Sequence, residues 1–145
     1  FIKMNKELTI IFVSFHSQKR IIKYLKQFKD KFKVIIVENS SDYSLKKKIK
    51  RFSNSKVIIN QKNTGFGAGS NLALRKVKTK YALQIDLDTK FSNESINKLV
   101  KQANKIRDFA IVGPFSELSC HLLPVTTSFA TILCDAYSEF RFHIM

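Results

Sequence analysis

The chain has only two cysteines, Cys120 and Cys134, among its 145 residues. That excludes a disulfide framework and gives no cysteine-based zinc site. It has no apolar run near the ~20 residues needed to span a bilayer. The early apolar run at 8–13 is too short for a signal peptide and leads straight into a polar turn. A cytoplasmic location is therefore the default expectation. Arginine is scarce, with 5 Arg against 21 Lys. Readers of nucleic acid that need bidentate forks favour Arg, so no nucleic-acid partner is expected. Acidic residues are also few, 11 against 26 basic ones, which leaves a net charge of +15. Such a field suits a phosphorylated substrate or an anionic membrane surface. A low-GC genome would enrich Lys, Asn and Ile equally well.

What is present is one domain's worth of chain, or a piece of a larger protein, with 13 Phe and ample material for a core. The sequence opens on Phe1, as a fragment or a chain starting at Met4 would. Of the 26 basic residues, 25 lie at or before Arg107, while both prolines, both cysteines and two of three histidines follow residue 112. The expected division is residues 1–114 as one unit and 115–145 as an atypical tail.

An apolar, β-branched run at 8–13 predicts a strand buried on both faces, and the runs at 33–37, 57–59, 81–85 and 109–112 predict four more strands. Helices are expected between them: 18–29 with Ile21, Ile22, Leu25 and Phe28 inward, a short basic one at about 43–52, one through Leu72, Ala73, Leu74 and Val77, and one at about 94–106. Ser92 or Asn93 would cap the last, with Ile96, Leu99, Val100 and Ala103 inward. Strand and helix alternate at short spacing. That pattern predicts an α/β fold with a mainly parallel sheet and helices on both faces.

In such sheets ligands bind outside the carboxyl ends of the strands. Four successive strands reach polar groups there. They are Ser14, His16 and Ser17; then Glu38, Asn39 and Ser40; then Asn63 and Gly65; then Asp86 and Asp88. The last pair is the most informative. Two carboxylates one residue apart repel each other, and a divalent cation removes that cost. Mg²⁺ in particular takes one or two carboxylates and completes its shell with water and substrate phosphates. Taken alone, the pair reads more readily as an Asp-rich turn. The agreement of four strand ends on one sheet edge favours the metal reading.

The segment Gly65-Phe66-Gly67-Ala68-Gly69 lacks the GxGxxG spacing of a dinucleotide fingerprint and follows the third strand, not the first. It is not a P-loop, because no Gly-Lys-Ser/Thr follows. Its expected use is close backbone approach to a ligand or another strand end, or plain helix packing. Glu38 is placed to accept from a base N–H or ribose hydroxyl, or to sit as a solvated loop acid. His16 is a phosphate contact or an exposed loop residue. Lys46-Lys47-Lys48 reads first as a solvated helix face and second as a membrane-surface element.

Four motifs stand here in the order and spacing of the family-two glycosyltransferases: Val13-Ser14-Phe15-His16-Ser17, Val37-Glu38-Asn39-Ser40-Ser41, Asn63 through Asn71, and Ile85-Asp86-Leu87-Asp88-Thr89. Residues 8–114 resemble that family, and within it the rhamnosyltransferase-like branch with its Asn-x-Gly-Phe-Gly segment. The resemblance implies an inverting enzyme with a Rossmann-like GT-A nucleotide-diphospho-sugar transferase fold whose C-terminal acceptor half is incomplete here. It implies that Ser14 and Phe15 line the nucleotide pocket and that Glu38 stands where the family has an Asp that recognises the base. Asn63 and Gly65 would lie beside the nucleotide, with Asn71 supporting the loop. Asp86 and Asp88 match the DxD motif: Asp86 near ribose or sugar, and Asp88, with Asp86, at Mg²⁺ or Mn²⁺ bridging the diphosphate. The partners implied are a nucleoside-diphosphate sugar and a glycan or lipid-linked acceptor for a surface polysaccharide or glycolipid. Peripheral contact with the inner face of the membrane through the Lys-rich surface would fit such an acceptor.

Inversion also needs a base for the acceptor hydroxyl. Glu117, Asp135 and Glu139 are the only carboxylates after Asp108, and none lies in a matching motif, so the catalytic residue is unknown. Two alternatives stay open. A nucleotidyltransferase also combines a parallel sheet with acidic metal ligands, but it should carry a glycine-rich basic loop after the first strand, and 14–20 has no glycine. A truncated, inactive nucleotide-sugar-binding or interaction domain is the other.

Overall fold

The computed structural model describes residues 5–106, 111–112 and 130–134. The strands are β1 (Leu8–Ser14), β2 (Lys33–Glu38), β3 (Ser55–Ile59), β4 (Tyr81–Ile85), β5 (Ile111–Val112) and β6 (Ala130–Cys134). The helices are α1 (Gln18–Phe28), α2 (Ser44–Ile49), α3 (Phe66–Leu74) and α4 (Asn93–Ala103). They form one six-stranded sheet in the order β3-β2-β1-β4-β6-β5. β1 pairs in parallel with both β2 and β4, and β2 with β3. β6 runs antiparallel to β4 and to β5.

The sheet is therefore mainly parallel, as the alternation predicts. The strand β6 is an addition. It lies in the stretch read as a tail and joins the sheet between β4 and β5. Of the expected fifth strand, residues 111–112 are seen; 109–110 lie outside the described residues, as do Cys120, Glu117, Asp135 and Glu139.

Strand alternation sorts the core into two layers. Leu8, Ile10 and Phe12 of β1, Val34 and Ile36 of β2, and Leu83 and Ile85 of β4 face α1, α2 and α4. Ile11, Ile35, Val37 and Ala82 face the other way, against Ala73 of α3. Helices thus cover both faces. Phe12 is fully buried at the centre, its ring stacked on Tyr24 at 5.7 Å and Phe28 at 6.2 Å.

Three local readings change. The inward face of α1 is Ile21, Tyr24, Leu25 and Phe28. Ile22 is only partly buried, so Tyr24 takes the place expected for it. The glycine-rich segment is not a loop throughout: α3 begins at Phe66 and includes Gly67 and Gly69. Helix α4 is capped by Ser92, whose Oγ accepts from the Ser95 N–H at 3.0 Å, and Leu99 is half-buried where Ile96, Val100 and Ala103 are buried.

Candidate functional site

The chain leaves β1 for β2 and β3 on one side, then returns to β4 on the other. The switch point lies between β1 and β4, where open parallel sheets bind their ligands at the carboxyl ends. Ser14 and Phe15 leave β1 at that edge, and Asp86 and Asp88 leave β4. The adjoining ends of β2 and β3 bring Glu38, Asn63 and Gly65 to the same edge.

Ser14 and Glu38 are paired across β1 and β2 in register. The Ser14 hydroxyl donates to Glu38 Oε2 at 2.7 Å. Glu38 Oε1 accepts from the Ser40 N–H at 2.9 Å and from the Ser40 hydroxyl. Both Ser14 and Glu38 are 0% exposed. Burying a carboxylate is tolerated here because three donors replace water. Neither side chain presents surface to a ligand in this conformation. The pair organises the edge from within.

Asn39 is the hub beside it. Its N–H donates to the Ser14 carbonyl at 2.7 Å, and its side-chain amide donates to the Gly65 carbonyl at 3.0 Å. Its Oδ1 accepts from Asn60 Nδ2 at 2.6 Å. Asn60 also donates its backbone N–H to the Glu38 carbonyl at 2.9 Å. The Asn63 side chain accepts from the Gly65 N–H at 2.9 Å. The ends of β1, β2 and β3 are thereby one hydrogen-bonded network.

The glycines have separate jobs. Gly65 caps α3 at φ 82° and ψ 171°, a region that side-chain-bearing residues avoid. A Cβ on Gly69 would lie 2.9 Å from Val13 Cγ1 and 3.3 Å from Asn39 Nδ2. Helix α3 therefore approaches β1 and the hub as closely as backbone allows. Behind it, the buried Gln84 of β4 donates to Ser70 Oγ at 2.8 Å, and Ser70 donates to the Phe66 carbonyl at 2.8 Å.

On the β1 side, Phe15 is 52% exposed and meets the His16 ring edge-on at 4.4 Å. His16 is exposed and holds a left-handed conformation, φ 51°. Nearby, Asp42 accepts from the Ser44 N–H at 2.8 Å. That backbone bond, then Ser44's side chain, holds the Asp42 carboxyl below its usual range.

Asp86, Leu87, Asp88 and Thr89 form a turn closed by the Thr89 N–H on the Asp86 carbonyl at 3.1 Å. Leu87 points into the core, Asp86 is half-buried and Asp88 is exposed. Among the described residues no three His, Cys, Asp or Glu converge to cage a metal. Two carboxylates at an open strand exit instead match a Mg²⁺-type ion that keeps water and takes the rest of its oxygens from a phosphorylated ligand. The donor set fits that kind of ion.

Several residues here were not singled out from the sequence as site residues. Asn60 and Thr64 join the network through Asn39. Tyr24, on α1, reaches the carboxylate turn from the core. Its i, i+3, i+4, i+7 spacing with Ile21, Leu25 and Phe28 was the available signal for its burial.

The sequence profile "Glycosyl transferase family 2" matches residues 9–121. Among curated proteins no sequence matches. Solved structures do match. The mannosyltransferase PcManGT from Pyrobaculum calidifontis, in complex with GDP-Man and Mn²⁺, superposes with a TM-score of 0.73 at 14% identity, over 92% of this chain and 46% of that one. S. aureus TarS 1-349 gives 0.56 at 24% identity, over 68% and 32%. A CMP:2-keto-3-deoxy-manno-octonic acid synthetase complexed with CTP gives 0.54 at 10% identity, over 72% and 50%. These likenesses concern the fold, and the chain spans half or less of each structure's length. The profile covers most of the chain and takes in all four strand-end motifs. The chain belongs to glycosyltransferase family 2, with a GT-A-type α/β fold.

Proposed function

We propose that this chain is the donor-binding half of a glycosyltransferase that moves a sugar, with inversion, from a nucleoside diphosphate to a glycan or lipid-linked acceptor. The observation that carries the reading is the placement of Asp86 and Asp88 beside the β1 exit, at the switch point of the sheet. Asp86 and Asp88 would hold Mg²⁺ or Mn²⁺. When bound, that ion neutralises charge on the diphosphate as it leaves. Phe15 offers an exposed ring on which a base can stack. Asn63 and Gly65 line the nucleotide side of the edge, with the α3 N-terminus behind them. Ser14 and Glu38 serve the same subsite from below, fixing Ser40 and Asn39. The likeness to a GDP-Man and Mn²⁺ complex supports this assignment. The fold is also shared with a CTP-binding synthetase, but the residues after β1 contain no glycine-rich basic loop, which disfavours nucleotidyl transfer. A titration with nucleoside diphosphates, with Mn²⁺ and with EDTA, tests the proposal. Saturable binding that needs Mn²⁺ is expected, and metal-independent binding would overturn the metal assignment.

The same proposal includes a cytoplasmic location with peripheral contact at an anionic membrane. Among the described residues no helix is long and apolar enough to cross one. Helices α1 and α2 carry Lys19, Arg20, Lys23, Lys26, Lys46, Lys47 and Lys48 and no acidic residue. Between them lies an open groove of about 430 Å³ lined by Ile22, Lys47, Lys48, Lys50 and Arg51. Tyr43, at the start of α2, is 60% exposed. Each basic side chain near an anionic surface contributes about 1 kcal/mol. Replacing Lys47 and Lys50 by Gln should weaken sedimentation with anionic vesicles roughly 30-fold. Equal binding to neutral vesicles would remove the electrostatic argument.

A further inference from the structure

The carboxylate turn is held in place by helix α1. Tyr24 sits one layer beneath it, 8% exposed. Its hydroxyl donates to the Thr89 carbonyl at 2.7 Å, with the Leu87 carbonyl at 3.4 Å. These two carbonyls flank Asp88 in the chain. The ring is fixed by its neighbours: Phe12 at 5.7 Å, Phe91 at 4.6 Å and Phe28 at 6.5 Å between centroids. One turn further along α1, Gln27 Nε2 donates to the Phe91 carbonyl at 3.0 Å. The Asn93 side chain returns a bond to the Gln27 carbonyl at 2.9 Å. The segment from Leu87 to Asn93 is thus tied to a rigid helix at four carbonyls: Leu87, Thr89 and Phe91 on the segment, and Gln27 on the helix.

We infer that Tyr24 is a positioning residue that presets the direction of Asp88 toward the metal, with Gln27 as its second support. An exposed carboxylate on an unsupported turn would sample many directions, and ordering it on binding would cost free energy. Here the ordering is done by the fold.

The binding arm of this inference rests on the donor-site reading; the backbone arm does not. Tyr24→Phe keeps the ring and its stacking and deletes only the hydroxyl. In the ligand-free protein, amide hydrogen exchange across 87–91 should quicken about 5-fold, the worth of one net hydrogen bond. Outer partners of metal ligands typically govern affinity by about 10-fold. The Mn²⁺-dependent affinity for a nucleoside diphosphate should fall by that factor, while any binding in EDTA stays unchanged. A loss equal in Mn²⁺ and in EDTA would mark a general structural effect and overturn the inference. So would unchanged exchange and unchanged affinity. If Tyr24→Phe does not fold, Gln27→Leu carries the same two readouts with the same expected pattern. If the wild type shows no Mn²⁺-dependent binding, the donor-site reading fails, and the exchange result still decides whether α1 holds the turn.

Discussion

Asp88→Asn is expected to weaken Mn²⁺-dependent binding of a nucleoside diphosphate strongly while leaving the fold unchanged. Asp88 is exposed and makes no core contact, so its loss should not shift the melting temperature. The amide keeps the size of the carboxylate but brings no charge to a hard cation that binds through oxygen. With Asp86 left as the only carboxylate on the turn, affinity should drop about 100-fold, close to 2.7 kcal/mol. Calorimetry at matched Mn²⁺ concentration measures it. An unchanged affinity would show that the metal, if needed, is held elsewhere.

The second large effect is on stability. Phe12 lies on the central strand, fully buried, against both Tyr24 and Phe28. Phe12→Ala removes a ring from a stacked aromatic cluster that cannot close the gap without moving α1 off the sheet. The expected loss is about 3–5 kcal/mol, read from the urea midpoint. The same cavity lies beneath Tyr24, so any folded fraction should also show faster exchange at Leu87 and Thr89. A loss below about 1 kcal/mol would mean that the aromatic layer is not the core's main support.

Much of this was legible in the residues. Strands β1, β2 and β4 are continuous apolar runs because they are covered on both faces, and runs of that kind read clearly. Their alternation with helices put the polar residues at their ends on one edge, but that the Asp86 and Asp88 turn adjoins the β1 exit follows from the strand order, which the sequence does not state. Other features depended on contacts distant in sequence. Glu38 looks from the sequence like a residue offered to a ligand. Only the β1–β2 register, which sets it opposite Ser14, makes it an internal strut. Tyr24 finds its partner carbonyls 63 and 65 residues away, a separation no local pattern encodes. For Gly69 the plainer of the two readings, helix packing, is the one seen: a Cβ there would lie 2.9 Å from Val13 Cγ1. Strand β6 carries an apolar, β-branched stretch, Ala130-Thr131-Ile132-Leu133-Cys134. It lies beyond the shift in composition at residue 112, in the stretch expected to be an atypical tail.

Paramagnetic broadening by Mn²⁺, recorded on backbone amide signals in the presence of a nucleoside diphosphate, tests the central claim most directly. The account predicts broadening centred on residues 86–89, extending to Phe15 and His16 across the β1 exit and weakening with distance from them. Broadening centred away from the β1 and β4 exits, or the same pattern in Asp88→Asn as in the wild type, would contradict it.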